Sequence, residues 1–283
     1  MREVTLGQYY PVKSLIHSLD ARAKIILMVA YIVMVFFADS FFSYGVLSLF
    51  LIGVILLSRV PLLKVLQSLK TVMILIVFTV IMSVLFYSGN ESDLLWSWGI
   101  IKIYNSGLIN AGKMVLRLIL IVLGPMVVTF TTTAVALTNG IESVLKPFKL
   151  IGLPVHTLAM IMSIALRMIP SLVEETDKIQ SAQKARCADF ESGNLIKRAK
   201  AMIPILIPLF VSAFRRADEL ADAMDARCYR GAKGRTKMNK AQFRLRDALS
   251  LITLAVVFFI ILWLKFNYFP ALIDISAFAW MVI

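Results

Sequence analysis

The sequence predicts an all-α membrane protein with a basic domain of amphipathic helices beside its spans. Three observations lead there. The 283 residues are 59% hydrophobic, with a mean hydropathy of +0.83, above the roughly 45–50% apolar content of soluble domains. The apolar residues come in runs close to the length that crosses about 30 Å of hydrocarbon. Of 30 Lys and Arg, 19 lie between Lys146 and Arg246, four precede Ile25, and Arg59, Lys64 and Lys70 share one loop. Basic blocks separated by apolar runs form the positive-inside pattern, because Lys and Arg resist translocation. A net charge of +13 spread this way fits a surface of anionic lipid head groups rather than nucleic acid, which is not an expected partner.

The segment from Gly7 to Lys24 is polar, carries Pro11, His17, Asp20, Arg22 and Lys24, and is expected at the inner membrane surface. No apolar core of a cleavable signal peptide precedes it. Ile25–Ala38 and Phe41–Leu57 are apolar around a turn at Asp39-Ser40, and both are short enough to borrow residues from Leu19 and from the loop at Arg59. Pro61 marks that loop, and Val72–Tyr87 is the third expected span. Ser88–Ser106 follows with Glu91, Asp93 and a loose alternation of Trp96, Trp98, Ile101, Ile103 and Tyr104. It reads as a short hairpin or interfacial loop, since Trp and Tyr favour the membrane–water boundary. Gly107–Phe130 is the fourth span, with Lys113 and Arg117 spaced i,i+4 on one face. Intramembrane cations face protein or a water-filled path, so the pair serves helix packing or transport.

Thr131–Ile151 is amphipathic, with Ala134, Leu137, Ile141, Val144 and Phe148 opposite Glu142 and Lys146, and is broken at Pro147 and at Gly152-Leu153-Pro154. Two long segments come next. Leu153–Arg186 is apolar until Pro170 and then charged, so it should start at membrane depth and emerge. The second holds a seven-residue stripe of Ile203, Ile207, Phe210, Phe214, Ala217, Ala221, Met224 and Cys228, which is expected to face a partner helix and to let it approach closely near Ala217 and Ala221. Gly231–Arg246 is a basic linker, and Leu249–Phe269 is the fifth span, ending in Trp263, Tyr268 and Phe269. Residues 270–283 are apolar but too short to cross. The expected organisation is a membrane domain at 1–130, a cytoplasmic helical domain at 131–247, and a final span with an outer tail at 248–283. The N-terminus is then inside and the C-terminus outside.

The two long segments end alike, in Ala185-Arg186-Cys187 and Ala226-Arg227-Cys228, at an offset of 41 positions. The same offset superposes Ser171 on Ser212, Asp177 on Asp218 and Ala182 on Ala223. Each tripeptide precedes a helix stop, at 189–193 and at 231–234. A small residue beside an Arg suits a helix tip pressed into a groove, with the guanidinium fork meeting a carboxylate. Ordinary helix ends also carry cations that favour the dipole, but two matched tips at the ends of two levers point to paired docking on a two-lobed partner. Cys187 and Cys228 are expected to remain unpaired thiols at tight helix ends. With two His and two Cys in the chain, no metal-site spacing can be assembled. There is no phosphate loop of the GxxxxGK[ST] kind, and no catalytic constellation is apparent.

At these residues the chain resembles the transmembrane T component of energy-coupling factor (ECF) transporters, the EcfT/CbiQ family. The resemblance rests on Gly7, Tyr9, Pro11, Ser14, His17, Leu19, Asp20, Arg22 and Lys24 at the start. It continues through Leu116-Arg117-Leu118, Thr131-Thr132, and Arg167 to Pro170. It ends in Ala182 to Arg186, Arg215 to Leu220 and Ala223 to Arg227. In the family the residue after each Arg is often Gly or another small residue, and here it is Cys.

The resemblance implies a prokaryotic cell-membrane protein that joins two cytoplasmic ABC-type ATPase subunits to a substrate-binding membrane S component for a vitamin or metal ion. It implies two long coupling helices crossing as an X. Ala185, Arg186, Cys187, Ala226, Arg227 and Cys228 would dock on the ATPases, and ATP would be bound by those subunits, leaving this chain without a cofactor and without catalysis of its own. Met160, Met162, Met202, Ile203, Pro204, Ile207 and Phe210 are candidates for the S-component surface, because Met repacks against varied partners; the alternative for them is a plain lipid-facing or core stripe. The competing reading is a stand-alone secondary transporter or channel with Lys113 and Arg117 in its pathway. Such folds show duplicated membrane halves, whereas the repeat here lies in the coupling helices.

Overall fold

In the computed structural model the apolar runs become eight α-helices and one β-hairpin among the described residues, which are 9–86, 94–98, 101–152, 154–190, 194–231 and 243–268. In chain order they are α1 (Ala21–Phe37), α2 (Phe41–Ser58), α3 (Leu62–Leu85), β1 (Leu94–Trp98), β2 (Ile101–Tyr104), α4 (Asn105–Thr131), α5 (Ala134–Val144), α6 (Val155–Ala185), α7 (Leu195–Ala226) and α8 (Leu245–Tyr268). A 3₁₀ turn, Lys146–Ile151, lies between α5 and α6. Two compact units emerge: a membrane bundle built from 7–133 and 241–283, and a helical pair with its lead-in helix built from 134–240.

The expected set of spans changes in three places: α6, expected only to start at membrane depth and emerge, is long and apolar enough to span, α1 is not, and α3 starts earlier. α2, α4, α6 and α8 are long and apolar enough to cross a membrane, and α3 adds a fifth if its two parts count as one span. α3 starts at Leu62 rather than Val72, so most of the expected 58–71 loop is helix; it bends by 55° between Leu62–Lys70 and Val72–Leu85. α1 has 17 residues, about 25 Å of rise, which makes it the shortest of the apolar helices. Asp20 and Ser40 cap α1 and α2, each side chain accepting from the N–H two residues on, as N-cap residues do. β1 and β2 pair antiparallel, Leu94 opposite Tyr104 and Trp98 opposite Ile101, with an irregularity between Leu94 and Trp96. This is the hairpin that the aromatic alternation suggested. The expected tail at 270–283, Phe269 and most of the basic linker lie outside the described residues.

In the bundle, α4 packs on α1, α2 and α3, while α8 packs on α1 and α2. Met34, Val35, Tyr44, Leu47 and Ile261 are fully buried in its core. Gly124 has no room for a side chain: a Cβ there would overlap the Tyr31 ring, whose hydroxyl donates to Leu120 O at 3.3 Å. In the second unit α5 packs on α6, with His156 Nδ1 3.3 Å from Glu142 Oε1, and α6 packs on α7. Both long helices run unbroken through prolines, Pro170 in α6 and Pro204 and Pro208 in α7.

Candidate functional site: matched helix tips and an exposed apolar face

The two tripeptides form the same local structure, and the backbone shows why. In α6 the Cys187 N–H donates to Lys184 O at 3.0 Å and the Ala188 N–H to Gln183 O at 3.0 Å. In α7 the Cys228 N–H donates to Asp225 O at 2.9 Å and the Tyr229 N–H to Met224 O at 3.0 Å. Each is a Schellman cap, in which two N–H groups beyond the helix return to satisfy its last carbonyls. The cap needs a left-handed residue one place past the helix, and Cys187 (φ 64°) and Cys228 (φ 54°) fill it. Gly is the usual occupant because a Cβ is disfavoured there. This accounts for the small residue that the resemblance expects after each Arg.

The cap turns the chain away and leaves each Arg on the last helical turn. Ala185, Arg186, Cys187, Ala226, Arg227 and Cys228 are all exposed, and both thiols are free. Among the described residues neither Arg186 nor Arg227 has an ion pair or side-chain hydrogen bond. Each tip therefore offers a guanidinium without an ionic partner among the described residues, beside a small residue.

The seven-residue stripe of α7 points the other way from expectation. The face of α7 turned inward carries Ile205 (4% exposed), with Leu209, Ser212, Ala213 and Arg216 half-buried. Ile203, Ile207, Phe210, Phe214, Ala217 and Ala221 are exposed. Heptad spacing fixes that a set of residues shares one face, but says nothing about which of two apolar faces meets the partner helix. Of the seven residues put forward as an interaction surface, Met162, Met202, Ile203, Pro204, Ile207 and Phe210 are exposed and Met160 is half-buried. Leu206, Val211 and Phe214 extend the exposed apolar surface on α7. Apolar continuity of this kind marks a lipid- or partner-facing surface.

Lys113 and Arg117 separate in role. Arg117 Nε donates to the Tyr44 hydroxyl at 2.9 Å and Nη2 to Ala38 O at 3.2 Å, with Asp39 Oδ1 at 3.6 Å. Lys265 Nζ reaches Asp39 Oδ2 at 2.7 Å. The guanidinium thus fastens α4 to the α1–α2 corner, and Asp39 joins that corner to α8. Lys113 Nζ lies 5.7 Å from the Phe41 ring centroid, within cation–π range.

The N-terminal motif residues converge inside the bundle. His17 Nε2 can only donate to the Tyr10 carbonyl, 2.9 Å away, so Nδ1 accepts from the Ser14 hydroxyl at 2.7 Å. Burial pushes the His17 imidazole below the ordinary histidine pKa. Tyr10 N–H donates to Phe130 O at 2.9 Å. Lys24, 4% exposed, donates to Thr131 O at 2.8 Å and to Thr132 Oγ1 at 3.3 Å. Asp247, 2% exposed, accepts from Asp20 N–H and from Arg244 N–H, both at 2.8 Å. The second bond is the reach-back of a capping box at the start of α8. Sequence reading missed Asp247 because its partners are backbone groups, one of them 227 positions away. It also missed Glu175 and Arg216, which join α6 to α7: Arg216 Nη2 meets Glu175 Oε2 at 2.6 Å and Nη1 donates to Ser171 Oγ.

The described residues thus form apolar helices of membrane-spanning length and a helix pair that ends in two matched, exposed cationic tips. Residues 12–238 match the family described as cobalt transport protein, CbiQ. Curated relatives agree. The energy-coupling factor transporter transmembrane protein EcfT of Acidaminococcus fermentans is 48% identical over 94% of this chain and 98% of its own length. That of Ruminiclostridium cellulolyticum is 47% identical over 88% of this chain and 92% of its own, and that of Bacillus subtilis 43% over 92% and 98%. The chain belongs to the EcfT/CbiQ family of energy-coupling factor transporter transmembrane proteins.

Proposed function

We propose that this chain couples ATP hydrolysis by two cytoplasmic ABC-type ATPase subunits to movement of a substrate-binding S component that brings a vitamin or metal ion into the cell. The observation that carries the reading is the pair of tips. Arg186 and Arg227 stand at identical Schellman-capped ends, exposed and without an ionic partner among the described residues, as suits two equivalent acidic grooves. The two long helices cross as an X, and ATP binding on the ATPases moves the tips. The exposed face of Met162, Met202, Ile203, Pro204, Ile207 and Phe210, with Met160 at its margin, receives the S component. The chain itself holds no cofactor and catalyses nothing. The basic blocks support an N-terminus and tips in the cytoplasm and a C-terminus outside.

The competing reading is a secondary transporter with Lys113 and Arg117 in a water path. Arg117 spends its donors on Tyr44 and Ala38, which favours packing. The groove of about 610 Å³ in the bundle, which Lys24 and Arg246 line together with Leu27, Tyr31, Leu49 and Val257, is chiefly apolar and poorly suited to conducting a solute.

The test is capture of ATPase subunits by tagged protein in detergent, wild type against Arg186→Glu with Arg227→Glu. The expected result is capture by wild type and at least tenfold less by the double reversal. Wild-type protein that captures no ATPase and moves solute alone in liposomes would transfer the assignment to the secondary transporter.

A further inference from the structure

We infer that Glu175 and Arg216 are the fulcrum of the coupling-helix pair, a positioning pair that sets the separation of the two tips. The argument begins with the repeat. The offset of 41 positions that superposes Arg186 on Arg227 also superposes Glu175 on Arg216. In a two-fold arrangement a residue meets its own equivalent only at the axis, while other contacts come in reciprocal pairs. Glu175 and Arg216 do meet, at 2.6 Å, and Arg216 also bonds Ser171, one turn earlier on α6. Ser171 is in turn the repeat equivalent of Ser212, which is half-buried one turn before Arg216 on α7. Repeat-equivalent positions of the two helices therefore meet at this contact.

Two consequences follow from position alone. Arg186 lies 11 residues beyond Glu175, and Arg227 lies 11 residues beyond Arg216. The two arms are thus equal, about 16 Å each at 1.5 Å per residue, and a given change of crossing angle moves both tips alike. The contact is also the one place where the repeat must break its own symmetry. Identical charges at the axis would repel, and the sequence puts an acid on one helix and a base on the other. The side chains are 22% and 34% exposed, so the pair is less screened than a surface ion pair. A guanidinium held by both a carboxylate and a hydroxyl on successive turns resists rotation as well as separation.

The functional consequence rests on the coupling reading; the geometry does not. The chain carries its own reporter, because its only two cysteines are Cys187 and Cys228, both exposed and free, one at each tip. Spin labels attached there, with the full-length protein in nanodiscs, read the tip separation by double electron–electron resonance. Wild type should give one narrow distance distribution. Arg216→Glu and Glu175→Arg, which set like charges against each other, should each at least double its width. Combining them, Glu175→Arg with Arg216→Glu, should restore the wild-type distribution. If Arg216→Glu does not fold, Arg216→Gln is read instead, and broadening without charge reversal is the expected result. An unchanged distribution in the single variants overturns the fulcrum, as does a folded double swap that stays broad. ATPase capture separates the two ideas. Single variants that broaden the distances yet still capture ATPases through intact tips support the fulcrum together with the coupling reading. Broadening in a protein that never captures ATPases supports the fulcrum and sinks that reading.

Discussion

In the bundle Lys24 is 4% exposed and Asp247 2% exposed, and each bonds across to a distant element. In the helical pair Arg186 and Arg227 stand exposed on the last turn of their helices, and the bulky residues Phe210 and Phe214 of α7 are 60% and 68% exposed. One region uses polar groups to close itself. The other leaves polar and apolar groups open. Substitutions in the first should therefore register in stability, and substitutions in the second in assembly.

The largest stability effect expected is at Lys24. Replacing it with Met orphans the Thr131 carbonyl and leaves the neighbouring carboxylates of Asp20 and Asp247 without their cation. A loss of about 3 kcal/mol should show as a lower Tm in detergent, with Asp247→Ala close behind. Gly124→Ala comes next, at about 2 kcal/mol, since the Tyr31 ring must shift to admit the methyl group. A pH effect on the same unit is smaller. His17 is held neutral by burial, so the unfolded chain binds more protons than the folded one near the ordinary histidine pKa. Stability is full above that value and declines as pH falls through it toward the folded value; Tm measured from about pH 7.5 down to about 5.5 should drop, and His17→Gln should flatten the decline.

On the open side, Ile207→Ser with Phe210→Ser should change stability little, by about 0.5 kcal/mol or less, while S-component capture falls at least tenfold. A Tm collapse in that variant would mean the face is buried after all. With no effect expected on assembly, Cys187→Gly and Cys228→Gly should each stabilise the protein by about 1 kcal/mol at most, by relieving a Cβ at positive φ, and should leave ATPase capture intact.

How much of this was legible beforehand follows the range of the interactions involved. Membrane-length helices, the hairpin at 94–104 and the matched helix ends were readable because periodicity, aromatic alternation and a repeated tripeptide are local signals. The start of α3 at Leu62 was misjudged because Lys64 and Lys70 resemble loop charges, although on a helix their long stems can extend toward the interface. The orientation of α7 was inverted because it has two apolar faces, and spacing cannot choose between Ile205 and Ile207. The Cys in each tip resembled a departure from a family habit until φ showed the shared constraint. Glu175 and Arg216 were within reach of the repeat itself: the 41-residue offset that was read from identical residues also pairs these two opposite ones.

The strap from Tyr9 to Asp20 has a consequence in time. Its bonds run to Phe130 and to Asp247, so the strap is completed by a residue made 227 positions after Asp20. At about 10 residues per second of synthesis, Asp247 follows Asp20 by roughly 20 seconds. Until then α1 lacks the carboxylate that α8 supplies to its first turn, and Asp20 N–H waits for its acceptor. The strap is therefore completed only after α8 is made. A chain truncated before α8 should be held as an open intermediate, recognisable by rapid hydrogen exchange at Asp20.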